Sequence, residues 1–388
     1  MRVALDGNEA NTTYRVGSNM YAFELLVALE KITRGDTETT VTVLLSKKKA
    51  DDLPAERKGW TYRVVKPSPF WTQYALPIHL FLNRKKYDVF FTPGHYGPRV
   101  SPVPYISSVM DLAFLYFPKQ FRRKDLLQLT EWTRYSVHNA KRIIAISEHT
   151  KKDVIEAYHV PEKKVVVAYP GFNRNVQVTY KEKEKIATLK KWKIHQPFIV
   201  YVGTIQPRKN LLRLIEAFEV LVKKSDSHTV TDQKLQSLQL VIAGKVGWLA
   251  SDVLKRMKES PVHERIIFTG YVTETEKTIL YKESICTVLV GLYEGFGIPA
   301  LEAMAYGSIP LVSETTSLPE VVGKAGELVN PLDTLSIAEG IKKVMNRTAK
   351  EHGKLLKLGR EQVKKFNWDE SAKRILETLH EVVEERKK

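Results

Sequence analysis

Glu294 and Glu302 stand eight residues apart in the run Tyr293-Glu294-Gly295-Phe296-Gly297-Ile298-Pro299-Ala300-Leu301-Glu302. The residues between them suit an anion that carries hydroxyl groups. Gly295 and Gly297 open backbone conformations closed to other residues and let a ligand approach the main chain. Pro299 suits the first position of a helix, where its missing N–H costs nothing, and Gly307 reads as the stop after Tyr306. The free N–H groups of the helix start, which runs from Gly297 and Ile298 to Pro299, favour a phosphate with the helix dipole behind them. Glu302 lies about one turn into that helix, with its side chain leaning back toward the N-terminus. There it can accept hydrogen bonds from the paired hydroxyls of a ribose. Glu294, ahead of the glycines, can face whatever is bonded to the phosphate. A diphosphate with a sugar at each end, a nucleotide sugar, fits this layout.

Two adjacent cations support the same ligand. Phe198-Ile199-Val200-Tyr201-Val202 is a short apolar run that predicts a buried strand. Gly203 and Thr204 open the loop after it, Arg208 and Lys209 follow, and Leu211, Leu214, Ile215, Phe218 and Leu221 then recur at helical spacing. Asn210 stands where that helix would take its N-cap. Arg208 and Lys209 thus fall at the carboxyl end of a parallel strand, the end at which α/β sheets bind ligands. Fixed positive charge there can stabilise a diphosphate leaving group. No Asp-x-Asp pair suggests a divalent metal in that role, so no metal and no cofactor is expected.

The elements that must position these groups alternate along the chain. Strands are predicted at 2–6, 40–46, 62–66, 88–92, 104–109, 143–147 and 165–169, then at 198–202, 238–243, 266–270, 286–291 and 309–313. Helical patterns fall between them, as at 17–32, 121–139, 211–224 and 334–346. Strands alternating with helices imply parallel, doubly wound sheets, and there are too many strands for one such sheet. The expected organisation is therefore an N-terminal domain over 1–172, a second domain over 173–367 and a closing amphipathic helix over 368–388. The charged stretch 171–197 reads as the linker, and 223–237 reads as a polar loop with a disordered tip.

With these motifs in their order, the chain resembles the retaining glycosyltransferases of the GT-B fold known as glycosyltransferase family 4, or glycosyl transferases group 1. The resemblance rests on Gly203, Pro207-Arg208-Lys209-Asn210-Leu211, Ala243-Gly244, Phe268-Thr269-Gly270-Tyr271-Val272, Glu294 through Met304, and Ser317-Leu318-Pro319-Glu320-Val321-Val322-Gly323. It implies two Rossmann-like domains facing across a cleft, with the last helix crossing back to the N-terminal one. It implies Arg208, Lys209, Glu294 and Asp111 as catalytic residues. It implies Gly17, Gly203, Thr204, Tyr271, Val272, Gly295, Phe296, Gly297, Ile298 and Glu302 as donor-binding residues, with Tyr271 and Val272 beside the base. The Ser317–Glu320 form is similar to mannosyl- and rhamnosyl-type relatives and favours GDP-mannose.

The N-terminal half departs from the family pattern. Gly17 matches the first loop glycine, but Asn19 and Met20 stand where a second glycine and an arginine are common. Met110 stands where many relatives carry histidine, and a thioether cannot exchange a proton. Asp111 beside it reads either as a catalytic group or as a loop and capping aspartate, and His95 reads either as an acceptor contact or as a structural loop residue. A non-catalytic nucleotide-sugar-binding protein and a GT-B epimerase are the competing classes.

Composition bounds the partners. The 388 residues carry a formal net charge of +17 and a single cysteine, Cys286, which excludes an internal disulfide and reads as a core residue. No nucleic-acid-binding signature accompanies the charge. An anionic membrane surface or a glycan or lipid-linked acceptor, on one hand, and simple solubility, on the other, account for it. Phe70, Trp71, Tyr74 and Phe81 within 67–86 are read mainly as helix core, and Lys119, Arg122, Arg123 and Lys124 as a membrane contact. Arg2-Val3-Ala4-Leu5-Asp6 reads as a strand rather than a signal peptide, and no apolar run is long enough to span a bilayer. The expectation is a cytoplasmic protein with peripheral contact at the inner face of a membrane.

Overall fold

The computed structural model describes residues 1–15, 17–172, 179–223 and 230–387. The chain divides into two compact units, Met1–Gly171 with Phe366–Lys388, and Phe172–Lys365.

In the first unit the chain runs β1 (Arg2–Asp6), α1 (Ser18–Ile32), β2 (Thr40–Leu45), β3 (Trp60–Val64), α2 (Ala75–Leu82), β4 (Val89–Thr92), β5 (Tyr105–Val109), α3 (Ala113–Tyr116), α4 (Arg123–Asn139), β6 (Arg142–Ala145), α5 (Glu148–Tyr158) and β7 (Val165–Val167). The strands pair in parallel in the order β3-β2-β1-β4-β5-β6-β7. Every residue of β4 and β5 is buried, as expected of strands covered on both faces by helices. The sheet grows outward from β1 to β3, then restarts at β4 on the other side of β1. Their carboxyl ends therefore part at a topological switch point, where such sheets take ligands.

The second unit runs α6 (Glu182–Lys191), β8 (Phe198–Val202), α7 (Leu211–Lys223), α8 (Val230–Ser237), β9 (Gln239–Ala243), α9 (Ser251–Glu259), β10 (Ile266–Gly270), α10 (Glu274–Glu283), β11 (Cys286–Leu289), α11 (Ile298–Tyr306), β12 (Ile309–Ser313), α12 (Leu318–Val322), β13 (Glu327–Val329), α13 (Thr334–Met345) and α14 (Ala349–Val363). Its parallel order is β10-β9-β8-β11-β12-β13, which puts the switch point between β8 and β11. Phe198, Val200, Val241, Leu280, Tyr281 and Ala303 belong to one buried cluster. Cys286 is buried, and burial pushes its thiol up to about 12, which makes it an inert core residue.

The last helix, α15 (Trp368–Lys387), belongs to the first unit and packs on α1. The Trp368 ring meets Tyr21 edge-on at 5.5 Å, and Lys31 pairs with Asp369 at 2.5 Å.

Three sequence expectations need correction. The linker over 171–197 contains α6, whose Leu189, with Trp192 just past its end, packs against the core of the second unit. Lysines and glutamates dominate that helix, so charge hid its narrow apolar face. The polar loop over 223–237 contains α8, while its tip at 224–229, and 173–178 of the linker, lie outside the described residues. Strand β13 was not anticipated: it is three residues long, and its buried Glu327 reads as polar until Lys343 (2.6 Å) and Arg347 are seen to pair with it. The other strands, and the helices expected at 17–32, 121–139, 211–224 and 334–346, begin and end within two residues of expectation, the usual ambiguity of element ends.

Candidate active site

The switch point of the second unit is built by loops held from below. After β8, the buried Tyr201 hydroxyl donates to the Thr204 carbonyl at 3.1 Å and fixes the loop that begins at Gly203. A short 3-10 turn, Pro207–Lys209, then presents the two cations. Asn210 closes that turn in the left-handed region, with φ of 60°. The N-cap expected of its side chain is not what forms. Its amide donates to the Val290 carbonyl at 3.0 Å and the Pro331 carbonyl at 2.7 Å, and its side-chain oxygen accepts from Arg213 at 2.9 Å. The left-handed backbone turns the side chain toward the neighbouring loops, so Asn210 ties the β8 loop to those after β11 and β13.

Arg208 and Lys209 meet Glu294, which follows β11. Lys209 Nζ donates to both carboxylate oxygens of Glu294, at 2.6 and 2.7 Å, and Arg208 Nη1 lies 3.6 Å from Glu294 Oε2. Arg208 also donates to the Tyr293 carbonyl at 3.1 Å. Ser317 holds the Glu294 loop in turn, its hydroxyl donating to the carbonyls of Glu294 (2.8 Å) and Phe296 (2.9 Å). Arg208, Lys209 and Glu294 thus form one charged cluster. Charge-assisted bonds of this length fix the lysine rather than leave it to sample rotamers.

The helix start follows directly. Gly297 takes φ of 101° and precedes α11. A Cβ there would come within 2.4 Å of the Leu318 side chain, so the position is closed to larger residues on two grounds. Ile298 is the first helical residue and Pro299 the second, one place later than the sequence suggested. Gly307 ends the helix with φ of 84°, as anticipated. Glu302 lies one turn in, where Lys277 Nζ donates to Oε1 at 2.7 Å and the Tyr281 hydroxyl donates to Oε2 at 2.9 Å. Burial alone would lower the Lys277 ammonium, but the Glu302 and Glu274 carboxylates raise it. Burial, and then Glu302, pushes the Tyr281 phenol far up, so both remain donors. Sequence reading missed Lys277 and Tyr281. Their only signal is the four-residue spacing that puts both on one face of α10.

The loop after β10 carries the last predicted group. Gly270 leads to Tyr271, which is exposed with Lys245 Nζ 5.0 Å from its ring centroid, and to buried Val272. A reciprocal capping box between Thr273 and Glu276 then starts α10 and orients Lys277 and Tyr281. Gly203, Thr204, Arg208, Lys209, Tyr271, Val272, Glu294, Gly295, Phe296, Gly297, Ile298 and Glu302 therefore lie on the loops and helix starts after β8, β10 and β11.

Gly17 and Asp111 lie in the first unit. Gly17 precedes α1 with φ of 56°, and Asn19 next to it donates to Glu9 Oε2 at 2.5 Å. Glu9 is raised by burial. Asp6, at the end of β1, is buried and pushed up to about 6 by desolvation, while its carboxylate accepts from Asn8 and Thr92. Asp111 accepts the Ala113 N–H at 3.0 Å, the loop role that was one of its two readings. His95, in the loop after β4, has Nδ1 buried with no hydrogen-bond partner among the described residues; burial lowers its pKa and the nearby Asp111 charge opposes this. Met110 is buried. Among the described residues, no group of three or more His, Cys, Asp or Glu side chains is placed to hold a metal ion.

Two family models match this chain. That of glycosyl transferases group 1 covers residues 182–362, and that of Glycosyltransferase Family 4 covers residues 16–176. The chain belongs to this glycosyltransferase family. O-antigen chain mannosyltransferase B of Escherichia coli is 28% identical over 68% of this glycosyltransferase and 67% of that protein. The serotype-specific mannosyltransferase WbdA of Escherichia coli is 31% identical over 65% of this chain, which spans only 29% of WbdA. O-antigen chain mannosyltransferase RfbU of Salmonella typhimurium is 26% identical over 61% of this chain and 60% of its own. Among solved structures, Anabaena HepE in complex with UDP and glucose superposes with a TM-score of 0.72 at 17% identity, over 98% of this chain and all of that one. Sucrose-phosphate synthase from Thermosynechococcus elongatus gives 0.70 at 19%, over 98% of both. With its two parallel sheets, this glycosyltransferase has the GT-B fold.

Proposed function

We propose that this enzyme transfers a mannosyl group from GDP-mannose, with retention at the anomeric carbon and without a metal ion, to a hydroxyl of a glycan or lipid-linked acceptor. The observation that carries the reading is the Arg208–Lys209–Glu294 cluster at the β8–β11 switch point, beside the start of α11. On binding, the donor diphosphate lies against the Arg208 and Lys209 cations, with the Gly297 and Ile298 N–H groups as further donors. The bond between the sugar C1 and the phosphate oxygen breaks, and the electron pair leaves with the phosphate, where the two cations stabilise it. The acceptor oxygen bonds to C1 on the same face, and its proton passes to the departing phosphate. No protein base is needed, which accommodates Met110. Glu294 carries the sugar hydroxyls and the positive charge that develops on the ring. Glu302, already flanked by two donors, holds the ribose.

The sugar is inferred from the three relatives, whose names are those of mannosyltransferases, and from Ser317-Leu318-Pro319-Glu320. A polymeric or lipid-carried acceptor, a cytoplasmic site and peripheral membrane contact through Lys119, Arg122, Arg123 and Lys124 are parts of the same proposal. No described helix is long and apolar enough to cross a membrane.

The test is a panel of GDP-, UDP- and dTDP-sugars with the purified enzyme and a mannose-terminated acceptor. GDP-mannose should be consumed and the new linkage should be α, read by NMR. Transfer should survive EDTA. Lys209→Ala should fold normally and lose about two to three orders of magnitude in turnover, the scale of one lost transition-state donor. A folded Lys209→Ala enzyme with near-normal turnover would overturn the leaving-group assignment.

A further inference from the structure

Helix α2 is apolar on its outward face as well as its inward one. Its one polar side chain, His79, faces inward, where Nε2 lies 3.1 Å from the Tyr87 hydroxyl, and burial lowers its pKa to about 4. Its outward face is apolar. Tyr74 is 63% exposed, Ile78 58%, Phe81 57% and Leu82 72%, and Phe70 just before the helix is 70% exposed. Positions 74, 78 and 81 repeat at three and four residues and form one stripe, and the Phe70 ring meets Tyr74 edge-on at 6.4 Å. Sequence reading assigned this stretch chiefly to the core; the structure puts Ala75, Leu76 and Leu80 there and leaves the stripe outside.

The stripe is bordered by cations. Arg84, Lys85 and Lys86 follow it and are exposed, and the Arg84 guanidinium lies 4.8 Å from the Phe81 ring centroid. No acidic residue occurs in the sequence between Glu56 and Asp88. On the far side, a cleft of about 590 Å³ joins Phe70 and Trp71 to Lys124, Leu127 and Trp132, with Leu127 67% exposed. The head of α4, with exposed Arg122, Arg123 and Lys124, therefore shares this face, and the acids near it are Asp125 and Glu131 on the same helix. Monomeric soluble proteins rarely leave so contiguous an apolar patch bare.

We propose that the outward face of α2, from Phe70 to Leu82, inserts into the interfacial layer of an anionic lipid bilayer, with Arg84–Lys86 and Arg122–Lys124 against the headgroups. The occupant is a bilayer because the apolar stripe is ringed by positive charge and carries no acid of its own. A protein groove for an apolar helix gives no reason for a cationic border, whereas an anionic interface supplies both layers. The surface moves the centre of membrane contact from a purely electrostatic patch at residues 119–124 to an inserted element. It does not depend on which sugar is transferred.

The experiment uses the full chain with phosphatidylcholine vesicles, with and without phosphatidylglycerol, at low and high salt. Wild type should bind the anionic vesicles and retain part of that binding at high salt, because the apolar contribution is not screened. Replacing Tyr74, Ile78 and Phe81 together with serine should lower partitioning roughly tenfold or more and abolish the salt-resistant part. Arg84→Gln, Lys85→Gln and Lys86→Gln together should lower it mainly at low salt. As a gain-of-signal check, Ile78→Cys carries an environment-sensitive dye, since Cys286 is buried and inert. Its emission should shift to the blue on anionic vesicles. Turnover of a water-soluble acceptor, which should be unchanged in the serine variant, separates failure of the surface from failure of the transfer reaction. Unchanged vesicle binding by the serine variant, or no dye response, would overturn the proposal. So would a wild-type dimer that the serine variant dissociates, since the stripe would then cover a second copy.

Discussion

Glu294 and Glu302 each hold a lysine, yet the proposed reaction gives them different work. Glu294 shares two cations at the end of β11, where a sugar carbon would lose its phosphate. Glu302 is fixed by Lys277 and Tyr281 from a neighbouring helix, at the position proposed for the ribose. A contact made equally in ground and transition states affects affinity, while one that strengthens as charge develops affects turnover. Glu302→Gln should therefore weaken GDP binding by about tenfold with turnover little changed, the weight of about one charge-assisted hydrogen bond. Glu294→Gln should lower turnover by about a hundredfold or more with GDP affinity less affected. Titration calorimetry with GDP beside steady-state kinetics decides this: the same pattern in both variants would refute the division. The glutamates, glycines and cations were legible because each belongs to one contiguous run. Lys277, Tyr281 and the carbonyl partners of Asn210 were not, because those bonds join residues 21 to 121 positions apart.

At the level of elements, the strand ends are tied by glycine. Gly244 follows β9 with φ of 144°, and a Cβ built on it would lie 2.0 Å from the Gly203 carbonyl oxygen. That oxygen is backbone of the β8 loop, so it cannot swing aside as a side-chain tip would. Gly244→Ala should then combine a disfavoured backbone with a forced displacement of the loop that leads to Arg208 and Lys209. The expected cost is about 2–4 kcal/mol of stability. Donor affinity should fall as well, whereas a mere loss of fold would lower stability alone. Denaturant midpoints and GDP binding measure the two, and an alanine variant equal to wild type in both would remove the steric argument. Apolar strands such as β8 were legible from composition because they are buried on both faces. Helix α6 was not, because a helix needs only a narrow apolar stripe, and lysine and glutamate on its other faces hid it; α8, a short and mostly polar segment, read as loop. The outward face of α2 failed in the opposite sense. Apolar residues were read as core, and a rule that apolar residues are inside has no way to mark those left outside.

At the scale of the molecule, the chain leaves the first unit at Gly171 and returns to it at Phe366, so that unit is closed by residues separated by the whole second unit. The closing element is substantial. Trp368, Ala372, Ile375, Leu379, Val382 and Val383 of α15 are buried, and the partner face includes Tyr21 of α1. Asp369 and Glu385 add ion pairs to Lys31 and Arg142, and the Ser371 hydroxyl donates to the Tyr169 carbonyl. At about 1.5–3 kcal/mol for each large buried side chain, losing these contacts costs on the order of 10 kcal/mol. That matches the whole stability of a typical domain, about 5–15 kcal/mol. A chain ending at Lys365 should thus lose the first unit rather than merely loosen its edge. Limited proteolysis read by mass spectrometry should show cleavage throughout 1–171 while 179–223 and 230–365 stay protected, because α15 belongs to the first unit and not to the second. The closing helix was legible from its periodic apolar positions, whereas its destination rested on family resemblance, since periodicity identifies a face but not its partner. If residues 1–171 resist proteolysis as well in the truncated chain as in the full one, α15 is a surface attachment and not the closing element of the unit.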